Sequence, residues 1–260
     1  FHPKNEEDMV SLKKMALLTL GFAMLSTDGM AQTTRREYNN IINIHLTPGA
    51  PRRHNGCFTD MGSWMGFTLP EQAQPTTGFC GPYSIYYRHW YARSLVALQG
   101  GTMQERSYCP GEVRMALTRD GATIQESLQF VDARTALLTI DNPSKRQLVF
   151  GADSVSRKMQ LSVENGTVLI ACHGGERVML TFPEPVRVAK AGHNYVATVP
   201  EGMAHLTAAI SIVTQDTEAS VQQVHTASLL ANPEASLKAN EARWNGYLRK
   251  VIRPDMPAQY

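Results

Sequence analysis

The chain has 260 residues, 43% of them hydrophobic and 18% charged, and its 25 Lys and Arg against 23 Asp and Glu leave a net charge of +2. This composition builds a core and excludes a disordered or low-complexity chain, and so small a net charge excludes binding of nucleic acid through a broad basic surface. At this length roughly 70% of the unfolded chain's surface can be buried on folding, so stability requires neither a disulfide framework nor a structural metal.

The chain begins with a polar, acidic stretch, Phe1 to Asp8, that reads as an overrun upstream of the true start. From Met9 a signal-peptide pattern follows: Lys13 and Lys14, an apolar run from Met15 to Leu25, and small residues at Gly29 and Ala31. This predicts a signal peptide cleaved after Ala31, with a buried N-terminal helix as the other reading. The apolar run is too short for a membrane span, which takes about 20 residues. No membrane span is therefore expected after cleavage, and the mature protein is expected in the periplasm or outside the cell. Export would permit disulfides among Cys57, Cys80, Cys109 and Cys172, but their spacing fixes no pairing, and four free thiols fit equally.

Residues 36–100 are rich in Gly, Pro and aromatic side chains and carry little periodicity. Residues 102–214 read as strand after strand. Val113–Thr118 and Thr123–Val131 flank Asp120-Gly121, and Met159–Glu164 and Thr167–Ala171 flank Asn165-Gly166. These dipeptides mark hairpins because both turn positions need φ > 0. Further runs lie at Thr135–Ile140, Gln147–Phe150, Val178–Phe182, Tyr195–Val199 and Leu206–Val213. Short strands at this spacing predict a mainly β, antiparallel sandwich over residues 32–231. Residues 232–260 read as a linker helix. Asn232 is its N-cap, Pro233 its first turn, and Leu237, Trp244, Leu248 and Val251 an apolar stripe running to about Arg253.

The chemistry is narrowed by what is missing from the sequence. There is no GxSxG elbow, HExxH, P-loop or GxGxxG, and no His pair at helical spacing, so neither a cofactor nor a metal is expected. His173-Gly174-Gly175 reads as a strand-end turn. Asp60 and Trp64 share a loop with Gly62, and Phe67 follows it. Phe79 and Tyr83 lie in a second aromatic-glycine segment. Flat aromatic faces stack on sugar rings and carboxylates accept hydrogen bonds from sugar hydroxyls, so these five residues are candidate substrate-binding groups. In the other reading they are structural, with Trp64 in the core and Asp60 capping a turn. No catalytic residue is assigned.

The segments Asn55-Gly56-Cys57-Phe58-Thr59-Asp60-Met61-Gly62-Ser63-Trp64-Met65-Gly66-Phe67-Thr68-Leu69-Pro70 and Gly78-Phe79-Cys80-Gly81-Pro82-Tyr83 resemble the N-terminal domain of glycoside hydrolase family 63, the mannosyl-oligosaccharide glucosidases and their bacterial relatives. Leu128 to Leu138 and Glu241 to Leu248 resemble its mid-sandwich strands and linker helix. The resemblance implies a supersandwich-type β-sandwich followed by an (α/α)6 catalytic barrel that carries the acid and base of an inverting reaction. The chain stops where such a barrel would begin. It is thus expected to be the non-catalytic N-terminal portion of an exported glycosidase for α-linked glucosides or oligosaccharides, inactive alone. Its expected partners are its own catalytic domain and, through it, an oligosaccharide. The alternative is a stand-alone carbohydrate-binding module.

Overall fold

Apolar side chains alternate with polar ones along much of residues 92–213, and the chain folds this pattern into two stacked sheets. The computed structural model describes residues 35, 37–49, 56–172, 174–214 and 218–251; the expected signal peptide lies outside them. The strands are β1 (Met65–Thr68), β2 (Cys80–Ser84), β3 (His89–Trp90), β4 (Ala92–Leu98), β5 (Thr102–Cys109), β6 (Glu112–Arg119), β7 (Ala122–Phe130), β8 (Thr135–Asp141), β9 (Leu148–Val155), β10 (Gln160–Glu164), β11 (Thr167–Ala171), β12 (Arg177–Thr181), β13 (Arg187–Ala191), β14 (Asn194–Val199) and β15 (His205–Val213). Two helices follow, α1 (Ala219–Ala231) and α2 (Pro233–Leu248).

The turns obey local chemistry. Asp120 and Gly121 take φ of 50° and 77°, and Asn165 and Gly166 take 49° and 74°, the paired positive values that a two-residue hairpin requires. One sheet runs β1-β2-β4-β9-β14-β13, with β3 on β2; the other runs β10-β11-β12-β15-β8-β7-β6-β5. Pairing is antiparallel except between β2 and β4. The predicted β-sandwich is therefore the observed fold. Residues 36–100, despite their weak periodicity, supply β1 to β4. All four residues of β1 are buried, so it shows no polar alternation.

The core lies between the sheets. Phe67 and Phe130 meet at 6.0 Å, and Phe58 packs on Phe130 at 5.5 Å. Val113, Leu117, Ile124, Leu138, Phe150, Ile170, Tyr195 and Ile210 extend this layer. Burying each large apolar side chain contributes about 1.5–3 kcal/mol. All four cysteines are free thiols, so burial and not cross-linking holds the sandwich.

Both helices cover the outer face of the larger sheet. Helix α1, which sequence periodicity does not announce, packs through polar side chains. Gln222 Nε2 donates to Thr135 Oγ1 at 3.1 Å, and the hydroxyls of Thr226 and Ser211 stand 3.1 Å apart. Val221 and Val224 point to solvent. Helix α2 starts at Pro233 as expected but ends at Leu248, and Val251 is exposed. Its buried residues are Asn240, Asn245 and Leu248, so its contact face is more polar than an apolar stripe implies. Asn240 Nδ2 donates to Gly111 O at 3.2 Å and to Gln129 Oε1 at 3.0 Å.

Candidate functional site

A cleft of about 490 Å³ opens at one end of the sandwich. Three turns converge there: the β2–β3 turn brings Tyr86 and Tyr87, the β7–β8 turn brings Ala133 and Arg134, and the β11–β12 turn brings Glu176. Gly62 and Trp64 enter from the loop before β1. Ligand sites commonly fall in the range of about 300–1,000 Å³, concave and mixed in polarity, and this cleft fits that description.

Its aromatic wall is built edge to face. The Trp64 and Tyr86 rings lie 5.9 Å apart at 85°, and Tyr86 and Tyr87 lie 4.8 Å apart at 84°. Trp64 O accepts the Ile85 N–H at 2.8 Å, which fixes the loop before β1 against the β2–β3 turn. Tyr87 OH donates to Gly174 O at 3.1 Å, tying the same turn to the β11–β12 turn. Trp64 is 53% exposed and Tyr86 66%, so these large rings present their faces to solvent instead of filling the core.

The floor is polar and buried. Glu176 lines the cleft although only 2% of it is exposed. Its Oε1 accepts the Tyr91 hydroxyl proton at 2.6 Å, and burial, reinforced by that bond to Glu176, raises the Tyr91 pKa. Tyr91 is therefore a fixed donor at physiological pH. Cys172 closes the turn, its N–H donating to Glu176 O at 3.2 Å. The His89 ring packs between Tyr87 and Tyr91, at 5.9 and 4.9 Å. Burial lowers its pKa, so it is neutral at pH 7, and its Nε2 is enclosed without a hydrogen-bond partner. Among the described residues no group of three His, Cys, Asp or Glu side chains is placed to hold a metal ion. No helix among them is long and apolar enough to cross a membrane.

The five candidates from the sequence separate. Trp64 stands in the cleft. Phe67 and Phe79 are core residues, 1% and 5% exposed, which corrects their reading as sugar-facing groups: Phe67 lies on β1 and Phe79 directly before β2, and both rings belong to the hydrophobic layer between the sheets. Tyr83 is half-buried against Trp90, with ring centres 4.9 Å apart. Asp60 is turned away from the cleft. Its Oδ2 accepts from Arg243 and, at 2.7 Å, from the Trp244 indole N–H, while its Oδ1 accepts the Met61 N–H at 2.7 Å. Sequence reasoning did not select Tyr86, Tyr87, Arg134 or Glu176. A signal for the tyrosines existed in the dense run Tyr83, Tyr86, Tyr87, His89, Trp90, Tyr91; Glu176, in a Gly-Gly-Glu turn, offered none.

No family model matches the chain, family 63 included, and no curated protein matches it in sequence. Among solved structures it is similar to a family GH92 inverting mannosidase from Bacteroides thetaiotaomicron VPI-5482, at 14% identity and a TM-score of 0.49, over 74% of this chain and 33% of that one. It is also similar to a heparan sulfate lyase from Pedobacter heparinus and its mutant, at 10% identity and TM-scores of 0.36 and 0.37, over 65% of this chain and 38% of each of those. The chain thus spans 33% to 38% of the length of these structures.

Proposed function

We propose that this sandwich is the non-catalytic portion of an exported carbohydrate-active enzyme for α-linked glucosides or oligosaccharides, and that the end cleft holds a sugar ring. The observation that carries the proposal is the pairing, in one concavity, of exposed aromatic faces with a buried carboxylate. Stacked C–H faces of a pyranose gain from an aromatic platform, and its hydroxyls need acceptors that are already oriented. Trp64 and Tyr86 supply the platform. Glu176, held by Tyr91, supplies an acceptor whose desolvation is complete before any ligand arrives. Arg134 contributes donors from the opposite turn.

In this reading chemistry takes place elsewhere in the parent enzyme, and the cleft contributes affinity and orientation. Titration calorimetry of residues 32–260 with α-linked gluco- and manno-oligosaccharides tests it. Trp64→Ala should weaken binding by about 10- to 30-fold, the scale of one aromatic anchor. Equal affinity of wild type and Trp64→Ala, with both folded, refutes it.

A further inference from the structure

The loop that carries Trp64 has its other end fastened to helix α2. Phe58 and Phe67 close it as a two-way bridge, N to O at 2.7 and 2.9 Å. Inside, Thr59 Oγ1 donates to Ser63 O at 3.0 Å and Ser63 N donates to Asp60 O at 3.0 Å, which makes Asp60 to Ser63 one tight turn. Met61 and Gly62 take φ of 58° and 73° to complete it. Trp64 follows directly. The five residues from Asp60 to Trp64 therefore act as a short rigid arm.

Asp60 is the anchored end. Its side chain is 8% exposed, and both oxygens are used: Oδ1 by its own turn, Oδ2 by Arg243 and Trp244 of α2. Arg243 also reaches Asn240 Oδ1 at 2.6 Å, and its guanidinium stands 5.2 Å from the Trp244 ring centre. Asn240 in turn grips Gly111 and Gln129 of the large sheet. A carboxylate is the one common side chain that can accept all of these charged and neutral donors at once. A merely structural turn would be served by Asn or Ser, which cap turns without a charge.

We infer that Asp60 is a positioning residue that couples helix α2 to the aromatic cleft, so that the seating of α2 sets where the Trp64 ring stands. This rests on the cleft being the sugar site. Residues 183 and 184 positions apart in sequence meet at one carboxylate, and the ligand-facing indole lies four residues from it. Any partner that shifts α2 would be read at the cleft through this arm.

The test uses the chain labelled with 5-fluorotryptophan, whose three resonances, from Trp64, Trp90 and Trp244, are assigned by Trp→Phe variants. Arg243→Met and Asp60→Asn are examined singly and together, with circular dichroism to confirm folding. Each single variant should shift or broaden the Trp64 resonance and raise the Kd for the oligosaccharide by about tenfold, since a misplacement of about 1 Å in a positioning contact costs up to about 100-fold. The double variant should be no worse than either single, the mark of one shared interaction. A Trp64 resonance unchanged while that of Trp244 moves overturns the coupling. If Trp64→Ala leaves the Kd unaltered, the sugar-site reading fails instead, and the fluorine spectra still decide whether α2 moves Trp64.

Discussion

Glu126 sits on β7 inside the sandwich, in register with Met115 on one side and Ile140 on the other. Neither carboxyl oxygen has a hydrogen-bond partner. Burial alone raises its pKa from the ordinary 4.5 to about 8. In the unfolded chain the group ionises near 4.5; in the folded chain it keeps its proton until about pH 8. The folded state thus binds one more proton across this window, and stability falls as pH rises through it. The 3.5 pH units between 4.5 and 8, at about 1.4 kcal/mol each, give a loss of about 5 kcal/mol, of which about 3 is already present at pH 7. Against a typical total of about 5–15 kcal/mol this is a large share. The expected behaviour is specific: Glu126→Gln and wild type have equal stability below pH 4.5, and the variant gains steadily up to pH 8 and then holds its lead. Urea denaturation at pH 4.5, 6, 7 and 9 measures it. His45 and His89, whose pKa values burial lowers, contribute a loss of opposite sign, as pH falls below 6.5, and cancel in the comparison with the variant. Parallel curves for wild type and Glu126→Gln would refute the reasoning.

Two further outcomes follow from packing. Phe67→Ala should cost about 3–5 kcal/mol of stability, because the fully buried ring packs on Phe130 in the core, whereas Trp64→Ala should cost under about 1 kcal/mol, and thermal melts of the two distinguish core from cleft. Gly111 adopts φ +82°, and a Cβ there would collide with the Trp244 indole; Gly111→Val should unseat α2, detected as a change in tryptophan emission and faster proteolysis after residue 232, and an unchanged digestion pattern would show that the helix does not depend on this contact.

What the sequence made legible follows from how local each signal is. The hairpins at Asp120-Gly121 and Asn165-Gly166 are written in two residues apiece, because the turn needs positive φ and those residues tolerate it. Strand β14 shows clean alternation because one face meets the core and the other is less covered, whereas β8 and β15 are buried on both faces and were legible instead as short runs rich in apolar and β-branched residues. Helix α1 defeats the same logic. Its inward positions are Gln222 and Thr226, since the sheet face beneath it offers hydroxyls at Thr135 and Ser211, and its valines face out. A rule that reads buried sides from apolar residues inverts such a helix.

The site was harder still, because its meaning depends on where one loop's two ends travel. From sequence, Asp60 and Trp64 are a carboxylate and an aromatic four residues apart, the composition of a sugar-binding loop. In the folded chain Met61 and Gly62 reverse the backbone between them, so the two side chains leave in different directions, one to α2 and one to the cleft. Nothing local tells that Arg243 and Trp244 will be waiting for Asp60, because the contact closes a loop of more than 180 residues. Glu176 has the same character: its Gly-Gly-Glu turn is unremarkable until Tyr91, 85 residues away, donates to it. Residues that serve a ligand directly and residues that hold them in place therefore carry the same chemistry in the sequence. Only the long-range partner separates the two roles: a carboxylate expected from sequence to touch sugar has its Oδ2 taken by Arg243 and Trp244 of α2.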